Sequence, residues 1–180
     1  MELRDDHRKP RFARFYLGGC VMDLYFLRHG DALGKEEWKG DDNARALSEE
    51  GVARMRKEAK TLAGLSLGIS LILSSPLARA MKTAEIVAAA LDLQDSLFAD
   101  KRLSPGFDPP ALREILADHA EVGALMLVGH EPDFSEVIAA CIGGGRVECK
   151  KGGVARVDIT DPLRPRGSLL WLLPPRVLAP

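Results

Sequence analysis

Two histidines and two arginines stand in short, turn-like settings that suit anion chemistry. They are Arg28 and His29 in Leu27-Arg28-His29-Gly30, Arg79 in Ser74-Ser75-Pro76-Leu77-Ala78-Arg79-Ala80, and His130 in Val128-Gly129-His130-Glu131-Pro132. Arginine presents a planar fork that matches the oxygens of a phosphoryl group. A neutral imidazole carries a lone pair that can attack phosphorus at physiological pH. Gathered together, two arginines and two histidines would make a receptor for a doubly charged anion. Any one of them alone reads differently, since a lone histidine is usually structural and a lone arginine usually solvated. The recurrence of three such settings is what argues for chemistry.

The elements around them explain how residues so far apart could meet. Leu24 to Leu27, Ile69 to Leu73 and Ala124 to Val128 are short apolar runs suited to buried strands. Each of the three basic settings directly follows one of these runs. Helices are predicted over 48–64, capped by Ser48 with Glu49 and Glu50 in the first turn, over 77–92, from Pro109 to about His119, and from about Pro132 to Ile142. Val52, Met55, Ala59 and Leu62 share one face of the first helix. Val154 to Ile159 and Leu169 to Leu173 read as two further strands separated by the turn-rich stretch Asp161–Gly167. Strands alternating with helices predict an α/β fold: a three-layer αβα sandwich with a mostly parallel central sheet. In such sheets ligands bind outside the carboxyl ends of strands, where all three settings lie.

Composition bounds the partners. The 180 residues carry a net charge of −1, with 46% hydrophobic and 28% charged residues, as expected of a globular protein. That balance points to neither a nucleic-acid nor a membrane partner. Cys20, Cys141 and Cys149 are an odd number without paired spacing, which fits a reducing compartment. Leu17-Gly18-Gly19-Cys20 has the look of a lipoprotein cleavage site, but Arg11 and Arg14 stand where an apolar signal core would be needed. A cytoplasmic location is the expectation. Residues 1–21 are expected to be an N-terminal arm, disordered or not native, and 22–180 one domain.

The ordered motifs resemble the histidine phosphatase superfamily. Arg28-His29-Gly30 is similar to its signature, Ser75-Pro76-Leu77-Ala78-Arg79-Ala80-Met81-Lys82-Thr83-Ala84 to its second motif, and Gly129-His130 to its third. Leu47-Ser48-Glu49-Glu50-Gly51 is similar to the stretch that opens the family's first helix. The short chain and Arg28-His29-Gly30-Asp31-Ala32 look most like the SixA-type phosphohistidine phosphatases, with a phosphoglycerate mutase-like fold. The resemblance implies a phosphatase in which His29 carries the phosphoryl group while Arg28, Arg79 and His130 hold its oxygens. It implies no cofactor and no metal.

Mutase-like members take a glutamate from the region after the second helix as general acid. Here that region, Arg102 to Asp108, has none, leaving Asp31 and Asp108 as candidates, each also readable as a turn or cap residue. A phosphorylated protein bearing phosphohistidine is the expected substrate. A small phosphate ester is the alternative, and a catalytically silent phosphate-binding module is the rival from another class. His7 and His119 are expected to face solvent. Lys150 and Lys151 are weighed as rim residues without a role, and Gly143–Gly145 and Gly152-Gly153 as turns.

Overall fold

The computed structural model describes residues 22–180, together with the backbone of residues 15, 16, 19 and 20. The expectation for the N-terminal arm falls largely outside the described residues. Where the backbone is described, β1 (Phe15–Tyr16) and β2 (Gly19–Cys20) form a small antiparallel pair.

A sheet of six strands organises the rest: β3 (Met22–Arg28), β4 (Leu71–Ser74), β5 (Leu97–Ala99), β6 (Ala124–Gly129), β7 (Val154–Asp161) and β8 (Arg166–Leu173), in the order β5-β4-β6-β3-β7-β8. The first four in that order are parallel, and β7 and β8 add an antiparallel edge. The helices α1 (Glu49–Gly64), α2 (Ala78–Leu91), α3 (Pro109–Asp118), α4 (Asp133–Cys141) and the short α5 (Pro175–Leu178) cover the two faces.

Alternation along the strands divides the core. Leu24 and Phe26 of β3 pack with α3 and α4, while Tyr25 and Leu27 pack with α1, α2 and α5. Phe134 on α4 is fully buried, edge-on to Phe26 at 5.2 Å and to Phe107 at 5.8 Å. Burying one such ring contributes about 2–3 kcal/mol. A Cβ at Gly129 would stand 2.6 Å from the Phe134 ring, so only glycine lets β6 end directly over it. The expected three-layer architecture is therefore present. No helix among the described residues is long and apolar enough to cross a membrane.

The helix predictions hold to within a residue or two. Ser48 caps α1 by accepting from the Gly51 amide at 2.9 Å, and Asp108 caps α3 by accepting from Ala111 at 2.9 Å. The second strand begins at Leu71 rather than Ile69, and β8 begins at Arg166, so the β7–β8 turn is tighter than the turn-rich sequence suggests. β5 was not expected: it has three residues at the sheet edge, with Phe98 exposed.

Candidate active site

Register alone brings the candidate residues together. Arg28 of β3 pairs with Gly129 of β6, and Ser74 of β4 pairs with Val128. The chain then leaves all three neighbouring strands at the same edge. The backbone continues the ladder for one more step, with His29 N–H donating to the Gly129 carbonyl at 3.0 Å and Ser75 N–H to the Val128 carbonyl at 2.9 Å. His29, Ser75 and His130 are thereby neighbours, and the two imidazole rings lie 5.2 Å apart.

His29 is buried at 8% exposure. Its Nδ1 lies 2.7 Å from the Gly30 carbonyl, which can only accept. The proton therefore sits on Nδ1, and Nε2 keeps its lone pair. Burial, with smaller help from Arg79, Arg28 and Lys151, pushes the His29 pKa down to about 4. Burial and the neighbouring His29 push that of His130 down to about 3. Both rings are neutral at pH 7.

Each flanking group has its own support. Arg28 Nη1 donates to the Cys149 carbonyl at 2.8 Å, the Cys149 amide donates to Ser135 Oγ, and the Ser135 amide donates to Glu131 Oε1. The first turn of α4 thus anchors Arg28 through the 149 segment. Arg79 lies in the first turn of α2, only 5% exposed. Thr83, one turn later, accepts from the Gly30 amide at 3.0 Å and donates to the Arg79 carbonyl at 2.8 Å. That hydroxyl ties the turn bearing Arg79 to the backbone next to His29. His130 Nε2 shares a hydrogen bond of 2.8 Å with the Ser75 hydroxyl.

Two guanidinium donors and one imidazole nitrogen are left over. Arg28 Nε, Arg79 Nε and His130 Nδ1 are buried without a hydrogen-bonding partner. Orphaned donors of this kind are costly unless something accepts from them. Both arginines act electrostatically on His29, whose ring lies 5.2 Å from that of His130, so an oxyanion bound among them would find positive charge and unsatisfied polar groups together.

The structure also shows partners that the sequence reading missed. Arg79 Nη1 donates to the Asp42 carbonyl at 2.8 Å and Nη2 meets the Asp42 carboxylate at 3.1 Å. Arg45, buried at 9% exposure, donates through Nε to the other oxygen of Asp42 at 2.8 Å and through Nη1 to the Leu33 carbonyl at 2.7 Å. A cavity of about 270 Å³ lined by Lys35, Trp38, Gly40, Asp42 and Arg45 opens beside this pair. A second, mostly apolar groove of about 480 Å³ lies against Leu47, Pro76, Ala78 and Met81. A signal existed in the mixed charges between the first strand and the first helix, but they have no period or motif to mark them.

The two candidate acids are otherwise engaged. Asp31 Oδ1 holds the Lys151 ammonium at 2.6 Å, and that bond keeps its carboxyl below the usual range. Asp108 is the α3 cap. Lys151 therefore does sit at the rim, while Lys150 pairs with Glu148. Gly143, Gly144 and Gly145 are turn residues with positive φ, and His119 at the end of α3 is half-buried rather than fully solvated. His7 lies outside the described residues. Among the described residues no group of three or more His, Cys, Asp or Glu side chains is placed to hold a metal ion.

Comparisons with known proteins agree with this geometry. The family model of the histidine phosphatase superfamily (branch 1) matches residues 24–104. A protein of Picosynechococcus sp. is 37% identical over 142 residues, covering 74% of this chain and 82% of its own. The phosphohistidine phosphatase SixA of Escherichia coli (strain K12) is 26% identical over 157 residues, covering 86% of this chain and 94% of its own. The solved structure of the protein histidine phosphatase SixA complexed with tungstate superposes with a TM-score of 0.76, covering 86% of this chain and 98% of that one. Motif order, sheet topology and these relatives lead to one conclusion: the chain is a phosphatase of the histidine phosphatase superfamily, of the SixA-like kind.

Proposed function

We propose that this phosphatase removes the phosphoryl group from phosphohistidine carried on a protein, by way of a covalent intermediate on His29. The observation that carries the mechanism is the set of buried, unpartnered polar atoms, Arg28 Nε, Arg79 Nε and His130 Nδ1, near a neutral imidazole whose Nδ1 is bonded to the Gly30 carbonyl, which leaves Nε2 its lone pair. Nε2 attacks phosphorus in line, forming one P–N bond as the P–N bond of the substrate breaks. The departing imidazole, already protonated by solvent on its other ring nitrogen, leaves as a neutral group. Water then attacks the phosphorylated His29, forming a P–O bond as the P–Nε2 bond breaks; Nε2 recovers its electron pair, and the water's protons stay with the released phosphate or pass to solvent. Arg28 and Arg79 neutralise charge on the equatorial oxygens. With the Ser75 hydroxyl donating to its Nε2, His130 directs an Nδ1 proton at the same group.

The choice of phosphohistidine rests on what an ester would need. An alkoxide leaving group requires a proton donor. Arg102 to Asp108 contains no glutamate, Asp31 is held ionised by Lys151, and Asp108 is occupied as a helix cap. A phosphoramidate nitrogen accepts a proton before it departs and asks less of the enzyme. The likeness to E. coli SixA supports the same substrate, and the apolar groove against Leu47, Pro76, Ala78 and Met81 gives a protein surface something to rest on.

The test is phosphate release from a phosphohistidine-bearing protein and from an aryl phosphate, for wild type and His29→Ala. Turnover of the protein substrate, lost in the variant, is expected. Turnover of the aryl ester alone moves the substrate to small phosphate esters. Failure of both, with no labelled phosphoenzyme, makes the chain a phosphate-binding module.

A further inference from the structure

Glu58 is the one acidic side chain wholly enclosed in the described structure, at 0% exposure. It sits on the buried face of α1 between Met55, Ala59 and Leu62, and neither carboxyl oxygen has a hydrogen-bonding partner. A carboxyl group in such surroundings is costly to ionise. Its neighbour is Gly152. A Cβ there would stand 2.5 Å from Glu58 Oε2 and 2.9 Å from Oε1, so the carboxyl occupies the space a side chain at 152 would need. Gly152 also adopts φ +77°, which a larger residue would resist.

The turn that carries Gly152 is tied to the nucleophile. The Gly152 amide donates to the carbonyls of Arg28, at 3.1 Å, and His29, at 3.2 Å. The Arg28 amide donates to the Gly153 carbonyl at 3.1 Å. Glu58 thus touches the glycine whose N–H fixes the backbone of both Arg28 and His29.

We propose that Glu58 is a positioning residue: its uncharged carboxyl packs the 150–153 turn against the Arg28-His29 backbone, and its ionisation loosens that packing. The inference rests on His29 being the nucleophile. Burial raises the Glu58 pKa to about 7, placing the transition in the range where cells hold their pH. The charged groups nearby do little to prevent this. Arg54, one turn earlier on α1, favours the carboxylate but is bonded to Glu50. In the turn, Lys150 is held by Glu148 and Lys151 by Asp31. At the end of β3, Arg28 is bonded to Cys149 and His29 is neutral. Arg176 of α5 is exposed.

The experiment follows the backbone amides of Gly152 and Gly153 by NMR from pH 5 to 9, in wild type and Glu58→Gln, beside kcat/KM on an aryl phosphate. In wild type the amide resonances titrate with a midpoint near 7, their hydrogen exchange quickens about tenfold beyond the intrinsic pH effect, and kcat/KM falls through the same midpoint. In Glu58→Gln, whose amide cannot ionise, the amide titration and the falling limb both disappear. Amides that do not titrate near 7, or that titrate identically in Glu58→Gln, overturn the proposal. A preparation without phosphatase activity would count against the proposed function, while the amide titration would still decide whether Glu58 controls the turn.

Discussion

Arg79 and Asp42 are joined twice, Nη1 to the Asp42 carbonyl at 2.8 Å and Nη2 to its carboxylate at 3.1 Å, so a carboxylate already stands against the arginine proposed to hold the phosphoryl group. The same carboxylate accepts from Arg45, and these cations hold its pKa low. On the proposed mechanism a phosphoryl dianion would meet an arginine whose charge is partly answered.

Replacing Asp42 with asparagine keeps the backbone carbonyl and an acceptor oxygen but removes the negative charge. Because the pair is half exposed on the Asp42 side, the gain is modest: tungstate or inorganic phosphate should bind roughly two- to fivefold tighter. Isothermal titration calorimetry reads it directly, and weaker binding would show that the carboxylate positions Arg79 rather than competing for it.

Arg79→Lys retains the charge and loses the fork. Lysine cannot reproduce a buried guanidinium held from two sides, so kcat/KM should fall about 100-fold. The urea midpoint of the variant, measured alongside, should stay near that of wild type.

The depressed basicity of His29 sets the acid limit. Its pKa of about 4 keeps the lone pair available well below the ordinary histidine value of 6.5. As pH falls, protonation removes the nucleophile, so the acid limb of kcat/KM belongs near pH 4. Half-loss at pH 6.5 in a rate profile from pH 3.5 to 7 would mean that the imidazole is not desolvated as described.

Ser75→Ala leaves His130 buried with neither ring nitrogen bonded. A drop in kcat of about tenfold is expected, with KM little changed, because the hydroxyl holds the ring in place and satisfies its Nε2. Stopped-flow phosphorylation should show the loss in the first chemical step.

Glu58 makes stability depend on pH in the opposite sense to most carboxylates. Its folded pKa, about 7 against 4.5, is raised, so its contribution is whole below 4.5 and is lost as pH rises to about 7. Wild type should therefore lose roughly 2–3 kcal/mol from this group between pH 4.5 and pH 8. Glu58→Met removes that slope and should raise the urea midpoint at pH 8. An unchanged difference between the two pH values in the variant would assign the slope elsewhere.

Much of the candidate site was legible because strand ends mark it. Arg28-His29, Ser75 and Gly129-His130 each follow an apolar run, and parallel register places such ends side by side. Asp42 and Arg45 were not legible, since they belong to a loop held by polar contacts that leave no periodic trace. β5 was missed because three residues at an exposed edge bury too little to show a pattern. Glu58 was legible in principle: Met55, Ala59 and Leu62 define the inward face, and position 58 falls on it by helical spacing. The charge of the residue hid what its place in the helix disclosed.

The sharing of one sheet edge by β3, β4 and β6 has a consequence for how the enzyme comes into being. His29 and His130 are about a hundred residues apart in sequence, and they meet only when β6 has inserted between β3 and β4. A slip of one residue in that insertion would turn alternate side chains to the wrong face. No fragment of the chain can carry the complete site. Recovery of turnover after denaturant is removed therefore reports the completed pairing of β6 with both of its neighbours, a long-range event that no local element can supply.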